Sequence, residues 1–311
     1  MILSNDAKAV LVLTTRLGDR SRPSLSVGAW HRLAQALSDA GLSPASVFDS
    51  DVEAARFARL DAQDVRRLLG DTASVFVELD TLASKGIWVL TIVDGRYPDR
   101  LRALGEAAPP CLFGVGEAGL LPRGGLAVVG SRNVEPDGAS VAQSVARAAV
   151  GWGLTLVSGG ARGVDQLAMN AAFLAGGSVV GVLADNLEQR LRKADTISAL
   201  DSDRTCLVVQ QHPSTGFSAQ AAMARNKLVY ALADLTAVVA ADEGSGGTWA
   251  GADEALRRHY GRVAVWRGAG EGPGNATLER LGAAGFRSMD ELEAILRDRE
   301  PRGGPEQLTM M

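Results

Sequence analysis

Three glycine loops in this sequence combine residue types that suit the holding of an anion: Gly130-Ser131-Arg132, Ser158-Gly159-Gly160-Ala161-Arg162-Gly163 and Gly244-Ser245-Gly246-Gly247-Thr248. Glycine lets backbone N–H groups approach a phosphate closely, hydroxyls add donors, and a helix N-terminus adds a favourable field. Arg132 and Arg162 place guanidinium groups in two of the loops, and MARNKLVYALAD adds Arg225, Asn226 and Lys227 at the start of another helix. Cations beside oriented amides suit a polyanion backbone. One such loop reads equally well as a turn that needs positive φ, and one arginine as a solvated charge. Three loops gathered at one sheet edge favour a phosphate cradle. The candidate contacts are Gly130, Ser131, Arg132, Ser158, Gly159, Gly160, Arg162, Arg225, Asn226, Lys227, Ser245, Gly246, Gly247 and Thr248. Arg190, Arg192 and Lys193 read as an ordinary exposed helix surface and are left out.

Other chemistries find less support. GSRNVEPDG is not GxGxxG and the chain has no GxxxxGK[ST], which disfavours hydride transfer and P-loop hydrolysis. His31, His212 and His259 are scattered and form no HExxH, while Cys111 and Cys206 lack CxxC spacing and read as inert core thiols. Asp165, opening the helix after the second loop, reads as a helix N-terminal stabiliser. The expectation is binding without intrinsic catalysis, with no metal and no cofactor. A formal net charge of −4 argues against a basic coat, so any nucleic-acid contact must be local. An aromatic content of 5% favours backbone tracking over a broad base-stacking platform. The first residues lack a secretory pattern and no apolar run is long enough for a bilayer, so a cytoplasmic protein is expected.

The elements that must position these loops follow from periodicity. Residues 1–85 read as a small helical domain, with Ser26 as an N-cap, Gly41 as a stop, and a second helical pattern from residue 61 onward. Residues 86–297 then alternate strand and helix: IWVLTIV, CLFGV, LAVVG, LTLVSG, SVVGVLA, CLVVQ, LTAVVAAD and RVAVW, with helix-like stretches between most of them. That alternation predicts right-handed crossovers and a doubly wound, mostly parallel Rossmann-like α/β sheet. NLEQRLRKADTISAL reads as one charged helix, GAAGF as the link between two short helices, and 298–311 as a frayed, flexible tail.

In order along the chain, TIVDGRYPDRL, VVGSR, VSGGARGVD, ARNKLVYALAD and GSGGT resemble successive motifs of the DNA-processing protein A family (DprA, also called Smf). These are bacterial proteins that bind single-stranded DNA and load recombinase. The similarity covers most of the chain, including the helical start and the closing NATLERLGAAGFRSMDELEAI. It implies a Rossmann-like fold, single-stranded DNA as ligand and a RecA-type recombinase as partner, and it leaves a homodimer open. The chain also departs from the family pattern. Met169 stands where the family has histidine, DNLEQRLRK lacks its Tyr-Pro pair, Gln210-Gln211 replaces Ser-Glu, and Arg225-Asn226-Lys227 replaces Arg-Asn-Arg. Two alternatives stay open. One is a nucleotide-sensing module of a bacterial defence system; the other is a LOG-like phosphoribohydrolase, although Ala250 and Gly251 follow Thr248 where that motif needs glutamate, and Asp253 and Glu254 lie farther along.

Overall fold

The computed structural model describes residues 3–49, 62–200 and 203–298. The tail reading therefore lies, apart from Asp298, outside the described residues.

The chain opens with helices α1 (Asn5–Thr14), α2 (Val27–Asp39), α3 (Ala62–Leu69) and α4 (Thr72–Ser84). Ser26 caps α2 by accepting from Ala29 N, and Gly41 follows the helix at φ +70°. The pattern read as continuous from residue 61 breaks at Gly70, because Asp71 accepts from Ser74 N and starts a new helix there. These helices bury apolar residues in two directions. Val10 and Leu13 of α1 pack with Trp30, Leu33 and Leu37 of α2. Leu11 and Val12 turn the other way and join Val75, Leu79 and Leu82 against Phe113, Val115, Leu207 and Val209 of the sheet.

Among the described residues the strands form one nine-stranded sheet in the order β1-β2-β6-β5-β4-β3-β7-β8-β9. They are β1 (Trp88–Thr91), β2 (Cys111–Gly116), β3 (Leu126–Val129), β4 (Leu156–Ser158), β5 (Val179–Val182), β6 (Thr205–Val209), β7 (Leu235–Val238), β8 (Arg262–Trp266) and β9 (Ala284–Phe286). The β1–β2 and β2–β6 pairs are antiparallel and the others parallel. The fold is thus Rossmann-like and mostly parallel.

Alternation along β3 explains the two layers of helices. Leu126 and Val128 face one core with Ala142, Val145, Ala168 and Ala172, from α6 (Pro136–Gly151) and α7 (Val164–Leu174). Ala127 and Val129 face the other, with residues of α10 (Ala219–Leu232) and α11 (Gly246–Arg258). A strand buried on both faces must be apolar throughout, which is why LAVV carries no polar residue.

Connections complete the fold. Pro98 sits at the N-cap of α5 (Asp99–Arg102). The segment read as one charged helix is two, α8 (Leu187–Arg190) and α9 (Ala194–Leu200), since residues 192 and 193 turn back through Arg192 N to Gln189 O and Lys193 N to Arg190 O. The chain closes with α12 (Asn275–Arg280), β9 and α13 (Met289–Arg297). β9 lies inside GAAGF, read from sequence only as a link; three residues are too few to show a strand period.

Candidate nucleic-acid interface

The winding of the sheet fixes the position of the cleft. From β3 the chain moves outward through β4, β5 and β6, then returns to place β7 on the other side of β3. Loops leaving the carboxyl ends of β3 and β7 therefore diverge, which opens a crevice at the point of reversal. Two adjoining cavities occupy it, of ≈450 Å³ and ≈320 Å³. The larger is lined by Gly130, Ser131, Asn226 and Ser245 through Thr248; the smaller by Gly159, Gly160, Arg162, Gln166, Asp185 and Arg190. Arg132, Ala161, Phe217 and Arg225 border both.

The loops brace one another. Gly163, at φ +86°, precedes α7, and a Cβ there would lie 2.3 Å from Ser131 O, so the first two loops meet only because this residue lacks a side chain. Val164 N donates to Ser131 O at 3.2 Å. Thr248 Oγ1 donates to Gly130 O at 3.0 Å and ties the third loop to the first. Asn226 Nδ2 donates to Gly247 O at 2.9 Å, and Arg162 donates to Asn133 Oδ1. Exposed Arg132 lies over the ring of exposed Phe217, 5.3 Å from its centroid.

Beneath the loops lies a buried ion pair, Arg225 with Asp165. A Cβ on Gly159 would sit 1.1 Å from Arg225 Nη1, so this glycine is the space in which the guanidinium packs. Burial holds the Asp165 carboxyl above the ordinary range, opposed by Arg225 and by backbone N–H groups of Ala161, Gly130 and Gly159. Burial likewise lowers Arg225 from its usual value, opposed by Asp165. Asp165 thus gathers amides from the first two loops around one carboxylate, beyond the helix-terminal role read from sequence. Both cysteines are buried, and burial pushes the Cys111 thiol up to about 12.

Several residues singled out from sequence occupy places that sequence does not reveal. Gly130, Ser131, Arg132, Gly159, Gly160, Arg162, Asn226, Ser245, Gly246, Gly247 and Thr248 do converge on the cleft. Ser158 does not present its hydroxyl there: it is fully buried and donates to Val128 O at 2.7 Å across the sheet. Lys227 points along α10 to Glu254 of α11, with Nζ 3.1 Å from its carboxylate. Arg225 borders the cleft but is buried and committed to Asp165.

Two cleft residues were passed over. Arg190, left out as an exposed surface residue, lines the smaller cavity and is held by Asp185 Oδ2 at 2.7 Å from Nη2. Its neighbours Arg192 and Lys193 are exposed. Phe217, which the sequence reading does not single out, is half exposed at the junction of the cavities. An aromatic residue flanked by Gly216 and the N-cap Ser218 in a polar loop is the signal that could have found it. Among the described residues no group of His, Cys, Asp and Glu is arranged to hold a metal ion, and no helix is long and apolar enough to cross a membrane.

Comparisons with known proteins bear on the fold and the family. A DNA processing protein DprA of Bacillus subtilis is 27% identical over 164 residues; the match covers 52% of this chain and 55% of that one, so the chain spans about half the length of this curated relative. The fold is similar to DNA processing protein A of Streptococcus pneumoniae, with a TM-score of 0.76 at 22% identity over 94% of this chain and 98% of that one. It is also similar to DNA processing protein A of Helicobacter pylori, whose structure was described for its single-stranded DNA binding mode, with a TM-score of 0.57 at 22% identity over 70% and 99% of the two chains. The model of the DNA recombination-mediator protein A family matches residues 88–297, a span that takes in the whole sheet from β1 to β9 and every loop of the cleft, and the chain belongs to that family.

Proposed function

We propose that this chain binds single-stranded DNA in the cleft at the β3–β7 reversal and holds it for a partner without transforming it. The observation that carries this reading is the convergence of Arg132, Arg162 and Arg190 with the glycine loops and the α11 N-terminus on two connected cavities. Together they supply more donors than one phosphate requires. The H. pylori relative, known for its single-stranded DNA binding mode, supports the choice of ligand. A RecA-type recombinase is the proposed recipient, the cytoplasm the proposed setting and a homodimer the proposed form.

The test is fluorescence anisotropy of a labelled oligothymidylate titrated with the full chain across a salt series, with thymidine monophosphate as competitor. Binding should weaken steeply with salt, and the mononucleotide should compete poorly. Equal competition by the mononucleotide would replace this reading with a nucleotide-sensing module. Release of free base from nucleoside monophosphates, lost on Glu254→Gln, would replace it with a hydrolase.

A further inference from the structure

The polar turn at residues 212–215 joins the amino-terminal helices to the cleft, and it does so around one imidazole. His212 Nε2 lies 2.8 Å from Glu78 Oε1 of α4. His212 Nδ1 lies 2.9 Å from Arg20 Nη2 and 3.2 Å from the backbone N of Ser214. Arg20 also donates to Ser214 Oγ, and Gly18 N donates to the second Glu78 oxygen. Arginine and a backbone N–H are donors only, so Nδ1 must accept, and the proton of the neutral ring must sit on Nε2 facing Glu78. The turn as built requires neutral histidine in that single tautomer.

From here the same turn reaches the cleft in two directions. Asn186 Nδ2 donates to Ser214 O at 2.8 Å and Glu188 N to Pro213 O at 3.3 Å, which fixes the start of α8, the helix that carries Arg190. Thr215 N closes the turn on His212 O at 2.8 Å, and two residues later Phe217 stands against Arg132. Gly216, between them, is exposed and a Cβ there would touch nothing within 4 Å, so the turn is the last firm anchorage before the ring.

We propose that Glu78, Arg20 and His212 are positioning residues for the cleft: they hold the 212–215 turn, and through it Phe217 and Arg190, in the arrangement that binds a single strand. This rests on the reading of the cleft as a single-strand site. Protonation of Nδ1 would remove the acceptor that Arg20 and Ser214 N–H share and set a cation against a guanidinium. The charged groups facing the ring are Glu78 on α4, Arg20 on the loop after α1 and Glu188 on α8, and Phe113 of β2 packs beside it at 6.4 Å between centroids. Burial holds His212 below its ordinary value, so the neutral turn persists at neutral pH and opens on acidification.

The test uses the full chain labelled with 4-fluorophenylalanine, with the 217 resonance assigned by Phe217→Leu, and reads both fluorine NMR without DNA and oligothymidylate affinity between pH 8 and pH 5.5. In the wild type the 217 resonance should shift on acidification and affinity should fall at least about fivefold, the lower end of ordinary coupling between sites. His212→Asn keeps an acceptor beside Ser214 N–H but cannot titrate, so its resonance should stay put and its affinity change less with pH. Glu78→Gln, which retains an acceptor but not the charge, should move the acid midpoint to lower pH. A 217 resonance that does not move, or moves equally in His212→Asn, overturns the proposal whether or not DNA binds. A resonance that behaves as expected in a chain without affinity for the oligonucleotide at pH 8 overturns the single-strand reading instead, leaving the turn as a device that positions Phe217 for some other ligand.

Discussion

Arg225 Nη1 stands 3.7 Å from Asp165 Oδ2 with both side chains only 7% exposed, directly under the loops that form the cleft. A charge so placed shapes the floor of the site, and its removal leaves the other charge buried and unpaired. Arg225→Ala should therefore destabilise the fold by about 3–5 kcal/mol. The double replacement Arg225→Met with Asp165→Leu should cost less than either single change. Denaturant unfolding of the wild type, Arg225→Ala, Arg225→Met, Asp165→Leu and the double variant checks this; additive losses across the Arg225→Met and Asp165→Leu cycle would show that the two groups do not act as a pair.

Arg132 is the contrasting case. Its charge is exposed and rests on Phe217, so Arg132→Ala should change stability by no more than about 0.5 kcal/mol. Single-strand affinity should nonetheless drop, and the slope of log affinity against log salt should become shallower by roughly one phosphate contact. Thermal melts and salt-titrated anisotropy on the same preparation separate the two effects. A variant that unfolds while keeping its affinity would make Arg132 a structural residue.

Gly159 and Ser158 are neighbours in sequence with different sensitivities. Gly159→Ala drives a methyl group into the Arg225 guanidinium and should cost about 1–3 kcal/mol as an overpacked site. Ser158→Ala removes one buried hydrogen bond to Val128 O and should cost about 1 kcal/mol, with the salt slope of DNA binding unchanged. An altered salt slope in Ser158→Ala would return that hydroxyl to the list of phosphate contacts.

Stability itself should carry the signature of His212. The unfolded histidine takes its proton near the ordinary value of 6.5, whereas burial makes the folded one wait for a lower pH. Between those two values the unfolded state holds more protons, so this contribution is present above 6.5 and is lost as pH falls. Urea unfolding at pH 7.5 and pH 5.5 should show the wild type losing more stability than His212→Asn. An equal loss in both would mean that the folded ring titrates as it does in the unfolded chain.

Much of this protein was legible in the chain alone, for reasons that particular residues make plain. Strands such as LAVV, and β6 after its first residue Thr205, are apolar because both their faces are covered, and each is followed by glycine or polar residues and then by a helix. A local pattern of that kind implies a parallel sheet with its loops at one edge, which is enough to place GSR, SGGARG and GSGGT together. Short or interrupted elements escaped it: β9 is three residues long, and α8 and α9 are separated by a turn made of residues that also favour helices. What tertiary structure alone decided is which cations remain available. Arg225, Lys227 and Arg190 look alike as letters, yet one is sealed against Asp165, one is drawn to Glu254, and one is held by Asp185 at the wall of a cavity. The same holds for Ser158 turned into the sheet and for Phe217 brought onto Arg132 by a turn that closes around His212. Charge and hydrogen-bonding capacity belong to the residue, whereas their availability depends on burial and on partners far away in sequence, and only the folded chain brings those partners together.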